Sequence, residues 1–211
     1  MALLAVNAFA ANSIHEIAEK TDQRYNNLQS LRADFTESYR GNGIDRSESG
    51  TLYLKRPGKM RWEYAEPRPK LFLSDGKTAW FYVPGEQQAR KAPVSKLDDL
   101  RSPLRYLLGK TKLEKEFDNL ALAPDIQPLE PGDTVLRGRP KGMEDRVDHV
   151  LFDVSAEGQI RQIVIIEVDG STTEFRFRNI TENSAISDRQ FRFTPPPGVE
   201  TIQASDIAGQ Q

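Results

Sequence analysis

The chain contains no cysteine. Disulfides, thiolate metal sites and cysteine nucleophiles are excluded together, and no cysteine is available to carry a lipid. Histidine is nearly as scarce. His15 and His149 are the two present, and neither has Asp, Glu or His neighbours at metal-ligand spacing. Long apolar runs are missing: no segment approaches the ~20 residues of a membrane-spanning helix. Charge of one sign accumulates nowhere. The 29 Lys and Arg against 31 Asp and Glu give a formal net charge of −2, and no basic block offers the footprint of a nucleic-acid partner. No Gly-x-Ser-x-Gly elbow exists. Gly76-Lys77-Thr78 has the look of the end of a phosphate-binding loop, but Leu71 stands where that loop requires glycine. The acidic pairs Asp98-Asp99 and Glu114/Glu116 lie in polar segments and read as solvated faces. These absences point away from an enzyme and call for no metal or cofactor.

What is present is a soluble-protein composition, 37% hydrophobic and 28% charged, over 211 residues. That length suits one domain with a sizeable core, assigned to residues 12–203. Residues 1–11 close on Ala8-Phe9-Ala10, the small-residue pattern at the end of a secretory signal, and read as a signal remnant or mobile N-terminus. Residues 204–211 read as a mobile tail.

The chain is organised around Gly50–Pro84. Short apolar runs (Thr51–Leu54, Met60–Tyr64, Leu71–Leu73 and Thr78–Val83) are separated by Arg56-Pro57-Gly58, Glu66-Pro67-Arg68-Pro69 and Asp75-Gly76. Such spacing predicts an antiparallel meander. Met60, Trp62 and Tyr64 alternate with Arg61 and Glu63. The same period allows Leu52, Leu54, Leu71, Leu73, Trp80 and Tyr82 to share their face. A face of Met, Trp, Tyr and Leu is either a packed core or the lining of a cavity for an apolar ligand.

Elsewhere, Ser13–Leu28 reads as a helix with Glu16 at capping-box spacing from Ser13 and a stripe of Ile14, Ile17, Ala18, Tyr25 and Leu28. Leu31–Tyr39 alternates as a strand. Leu97–Leu100 and Ser102–Gly109 read as short helices, the second opened by Ser102-Pro103 and stopped by Gly109. Strands follow at Phe117–Ala123, Thr134–Arg139, His149–Val154, Gln159–Val168, Thr172–Ile180 and Phe191–Phe193, and the ordered chain is expected to end near Val199. The fold class is mostly β (α+β): an incomplete, curved antiparallel β-barrel of about 11 strands, with a helical lid over its concave face.

The run Gly50-x-Leu52-x-Leu54-Lys55-Arg56-Pro57-Gly58-Lys59-Met60-Arg61-Trp62-Glu63-Tyr64, followed by Pro67, Ser74-Asp75-Gly76-Lys77-Thr78, Trp80-Phe81-Tyr82, Pro84 and Glu86-Gln87, resembles the outer-membrane lipoprotein carrier (LolA) family. Ser102-Pro103-Leu104 with Leu107-Leu108, and Phe191-x-Phe193-x-Pro195-Pro196-x-Gly198-Val199, extend the resemblance from residue 13 to about 202. It implies a periplasmic chaperone. Such a chaperone takes acylated lipoproteins released by an inner-membrane ATP-binding-cassette complex and carries them, as a monomer, to an outer-membrane receptor. The receptor needs an N-terminal cysteine, which this chain lacks. The resemblance also implies that Arg56 locks the lid and that Leu104, Leu107 and Leu108 form the lid's apolar face. The lipid-binding cavity it implies is lined by Phe35, Leu52, Leu54, Met60, Trp62, Tyr64, Leu71, Leu73, Trp80 and Tyr82. A lipid- or lipoprotein-sensing module on the same fold is the alternative.

Overall fold

A computed structural model describes residues 3–94, 107 and 112–203, with side chains from residue 14 onward. In chain order the elements are α1 (Leu3–Asn27), β1 (Ser30–Gly41), β2 (Ile44–Lys55), β3 (Lys59–Glu66), β4 (Lys70–Asp75), β5 (Thr78–Tyr82) and β6 (Gln88–Pro93). They continue with α2 (Leu113–Glu116), β7 (Phe117–Leu122), β8 (Thr134–Pro140), β9 (Val147–Val154), β10 (Ile160–Glu167), β11 (Thr172–Glu182), a 3-10 turn (Asp188–Phe191) and β12 (Glu200–Gln203). The strands hydrogen-bond in the order β12-β6-β5-β4-β3-β2-β1-β11-β10-β9-β8-β7, which has two ends and does not close. The mostly β class with an unclosed sheet is the one the sequence implies.

Two compact units are present. Among the described residues, one comprises 3–27, 37–46, 107 and 112–177; the other comprises 28–36, 47–94 and 178–203.

The first unit is built on β-branched and aromatic strands. Leu136, Val150, Phe152, Val154, Ile160 and Ile163 are fully buried, and Phe117 meets Phe152 edge-on at 5.3 Å. α1 lays the stripe of Ala18, Thr21 and Tyr25 inward. The Tyr25 hydroxyl accepts the Ile160 N–H at 3.0 Å, so its one polar atom is satisfied inside the core. Gly158, at φ +79°, lies against the Lys20 backbone, where a Cβ would come within 2.8 Å. Residues 123–133 strap one face of β8–β10. Ala123 and Ile126 pack on Val135 and Leu151, and Asp153 accepts the Leu129 N–H at 2.7 Å.

The second unit is the meander β2–β6 with the C-terminal segment. Its registers are antiparallel: Leu52↔Trp62 and Leu54↔Met60, then Trp62↔Phe72 and Met60↔Ser74, then Phe72↔Phe81 and Leu73↔Trp80. β12 pairs with β6 in parallel, Glu200↔Gln88 to Gln203↔Lys91.

Several expectations are corrected. α1 begins at Leu3, so Ser13 and Glu16 lie inside the helix and do not start it. Phe191–Phe193 is not a strand. Ser187 accepts the Arg189 N–H and opens a 3-10 turn that buries Phe191. The chain beyond Val199 is β12, because β6 offers it an edge to pair with. Leu71, Leu73, Trp80 and Tyr82 do not share the face of Trp62. Leu71 pairs with Glu63 and Tyr82, and Leu73 pairs with Arg61 and Trp80. Residues directly opposite in an antiparallel pair point to one side. The helices read at 97–100 and 102–109 lie outside the described residues, apart from Leu107.

Candidate functional site

The meander has two faces of different chemistry. On one, β2 supplies Leu52 and Leu54, β3 supplies Met60, Trp62 and Tyr64, β4 supplies Phe72, and β5 supplies Ala79 and Phe81. Phe35 of β1 joins them, with ring centroids 4.8 Å from Trp62 and 4.9 Å from Tyr64, both edge-on. The Trp62 indole N–H donates to Met60 Sδ at 2.8 Å. A soft sulfur acceptor two residues away therefore satisfies the indole's one polar group without adding an oxygen to the row. Gly50 opens the wall at the level of Tyr64: a Cβ there would lie 2.0 Å from the Glu63 carbonyl oxygen. Phe72 and Phe81 are half-buried and pack against Ala79 and Ala92.

The wall ends in a polar contact. Lys70, paired with Tyr64 in the register, donates to Glu48 Oε2 at 2.7 Å and lies 4.1 Å from the Tyr64 ring centroid. Both members of the ion pair are about nine-tenths buried. Removing either one would strand the other in an apolar setting.

The opposite face carries Arg61, Glu63, Leu71, Leu73, Trp80 and Tyr82, and the C-terminal segment crosses it. Phe193 lies 5.3 Å from Trp80 and 5.4 Å from Tyr82. Asp188 accepts from Lys55 at 2.6 Å and from Lys59 at 2.8 Å, and the Gln190 carbonyl accepts from Arg61. The two lysines hold the Asp188 carboxyl at about 2, well below the usual range.

The ten cavity candidates thus divide. Phe35, Leu52, Leu54, Met60, Trp62 and Tyr64 come together on one wall. Leu71, Leu73, Trp80 and Tyr82 line the other side of the same strands. Sequence reasoning missed Phe72 and Phe81. They stand in the unbroken apolar triplets Leu71-Phe72-Leu73 and Trp80-Phe81-Tyr82, where a period of two cannot say which face is which. Arg56 follows β2 directly, half-buried, with its backbone N–H donating to the Gln29 carbonyl at 3.0 Å. Leu107 is buried, while Leu104 and Leu108 lie outside the described residues.

Among the described residues no three His, Asp or Glu side chains are placed to hold a metal ion. His15 pairs with Glu114 at 2.9 Å and His149 with Asp148 at 2.7 Å. Two carboxylates with raised pKa lie in the first unit. Burial pushes Asp22 up to about 6, and burial together with Asp133 does the same to Asp153.

Comparison with known proteins adds an independent line. Residues 26–194 match the family model described as outer membrane lipoprotein carrier protein LolA. The outer-membrane lipoprotein carrier protein of Nitrosospira multiformis is 31% identical over 180 residues, covering 83% of each chain. That of Dechloromonas aromatica is 30% identical over 205 residues, covering 95% of each. Among solved structures, an uncharacterized conserved protein from Thermus thermophilus has the same fold. It superposes with a TM-score of 0.60 at 13% identity, covering 91% of this chain and 99% of that one.

Proposed function

Because the chain belongs to the outer-membrane lipoprotein carrier family, we propose that it is a periplasmic chaperone that holds the acyl chains of lipoproteins against the wall around Trp62. The observation that carries this reading is the register. It aligns Leu52, Leu54, Met60, Trp62, Phe72 and Phe81 on one face of four neighbouring strands, with the Glu48–Lys70 ion pair at one end. Leucine, methionine and aromatic side chains make an adaptable apolar surface with no fixed polar demand, which suits acyl chains of mixed length. The lining proposed here is Phe35, Leu52, Leu54, Met60, Trp62, Tyr64, Phe72 and Phe81. It leaves out Leu71, Leu73, Trp80 and Tyr82.

Affinity sets the mechanical problem. A chain of about 16 carbons gains roughly 0.8 kcal/mol per buried CH₂, or about 12 kcal/mol gross. A carrier that kept all of this for each chain would not release its cargo. In this reading the empty state is held by contacts that the ligand must break, and Arg56 is the residue that makes them. A guanidinium has five donors and matches the carbonyls left open at the ends of short helices. Cargo arrives from an ATP-driven inner-membrane complex and leaves to an outer-membrane receptor. The carrier itself performs no chemistry and needs no cofactor.

The test is a release assay. The purified protein is added to spheroplasts that retain newly made outer-membrane lipoproteins. A soluble one-to-one complex in the supernatant is the expected result. Absence of any complex, with protein shown to be folded, would overturn the carrier reading.

A further inference from the structure

The face of the meander opposite the wall carries more cations than carboxylates, although the protein as a whole carries a net charge of −2. The registers place Lys55, Lys59, Arg61 and Lys91 on it, and the C-terminal segment that crosses it adds the exposed Arg189 and Arg192. Glu63, Asp75 and Asp188 are the carboxylates set among them, and all three are already engaged. Glu63 accepts from Arg61, and Asp188 accepts from the two lysines. Asp75 accepts the backbone N–H groups of Lys77 and Thr78 in its own turn. Among the described residues no carboxylate pairs with Arg189 or Arg192. Beside Arg192 a pocket of about 400 Å³ opens between the ends of β3–β5 and residues 192–194. Its lining includes Leu71, Tyr82 and Phe193, the cations Arg61 and Arg192, and Glu63, the carboxylate that already pairs with Arg61.

We infer that this face docks an acidic polypeptide segment of a partner protein, with one apolar side chain in the pocket against Tyr82 and Phe193 and carboxylates on Arg192 and its cationic surroundings. Three features carry the assignment. The pocket has the volume that ordinarily receives a compact ligand or an anchoring side chain. Its aromatic lining is rigid, since the Tyr82 and Phe193 rings are 5.4 Å apart and Phe193 also meets Trp80. The surrounding charge is predominantly of one sign, which favours and steers an anionic partner. A membrane surface, the other large anion, fits less well. Bilayer binding needs apolar side chains that protrude into the lipid. Here the apolar groups are recessed, and the exposed large apolar residues among those described, Ile44, Leu129 and Val168, belong to the first unit.

The experiment uses the full chain and a fluorescein-labelled peptide, Asp-Glu-Phe-Asp-Glu, followed by anisotropy at low and at physiological ionic strength. Saturable binding that weakens with salt is expected. Arg192→Glu, a change at an exposed position whose folding is checked by circular dichroism, should weaken it at least ~tenfold, as for an interface anchor. Phe193→Ala should act similarly, and a peptide with lysine in place of the acids should not bind. The same Arg192→Glu variant should still take a palmitoyl probe normally, because Arg192 is not part of the wall, which the pocket meets only at its end, at Tyr64 and Lys70. Equal binding of acidic and basic peptides, or no effect of Arg192→Glu, overturns the proposal. So does cosedimentation with phosphatidylglycerol vesicles that Arg192→Glu abolishes, an outcome that would assign the face to a membrane surface.

Discussion

The two units spend their apolar side chains differently. In the first, Leu136, Val150, Phe152, Val154, Ile160 and Ile163 are sealed, and Tyr25 even places its hydroxyl on a strand N–H. In the second, only part of the apolar surface is sealed. Phe35, Leu52, Leu54, Met60, Trp62 and Leu73 are buried, but Tyr64, Phe72, Trp80, Phe81 and Phe193 keep partial exposure. Branched aliphatic side chains with few rotamers fill a core once. Flat and flexible ones such as Trp, Phe and Met accept more than one neighbour. On the reading proposed above, binding draws on the partly exposed aromatics and stability on the sealed core, a division that total apolar content would not have distinguished.

The strongest way to probe that contrast is Phe152→Ala. Phe152 is 0% exposed and edge-on to Phe117, so the variant should lose about 3–5 kcal/mol in denaturant unfolding. The molecules that stay folded should bind a palmitoyl probe with unchanged affinity. Phe72→Ala and Phe81→Ala should show the reverse. Each side chain is half-buried, so the expected stability loss stays below about 2 kcal/mol. Probe affinity should nonetheless fall ~tenfold, since burying an aromatic side chain against the ligand is worth roughly 1.5 kcal/mol or more and about 1.4 kcal/mol is tenfold. If either variant unfolded like Phe152→Ala while binding normally, the division of labour would be refuted. Arg56→Leu should leave the unfolding midpoint in place and change lipoprotein delivery. Unchanged delivery from spheroplasts to the receptor would remove Arg56 from the mechanism.

The smallest effects come from pH, and they run in opposite directions in the two units. Asp153 sits at about 6 in the folded protein, above its ordinary 3.8, because burial and Asp133 disfavour its charge. The folded state keeps a proton that the unfolded chain releases. This contribution is therefore full below 3.8 and is lost as pH rises through about 6. Asp22 acts in the same direction, its burial outweighing the Leu113 N–H that it accepts. Asp188 is held at about 2, so its contribution is present above 3.8 and disappears as pH falls toward 2. Unfolding followed between pH 7 and 4 should show Asp153→Asn flattening the rise in stability on acidification. Asn keeps an acceptor for the Leu129 N–H and can donate toward Asp133. Asp188→Asn should leave that range untouched and change only the more acidic limb. A flat profile in the parent protein would show that strap and proton are not linked.

How much of this was legible beforehand varies with the type of signal. Met60-Arg61-Trp62-Glu63-Tyr64 alternates cleanly, and its faces came out as read. Leu71-Phe72-Leu73 and Trp80-Phe81-Tyr82 do not alternate, so assigning their faces needed the strand partners. Phe191-Arg192-Phe193 alternates too, yet it enters through a 3-10 turn, since Ser187 caps that turn and the Lys55–Asp188–Lys59 contact pins it across the sheet. β12 had no local signal at all: Glu-Thr-Ile-Gln is a strand because β6 lends it an edge.

By itself, then, the sequence determined most of the strands and their turns, the absence of cysteine chemistry and the family. Each of these follows from local geometry or from a contiguous motif. Tertiary structure decided which side of each strand faces which, which aromatics share a wall, and where the cations collect. Parity between strands depends on the turns and bulges that join them. A shift of one residue there moves a whole row of side chains to the other face, and no single strand carries that information.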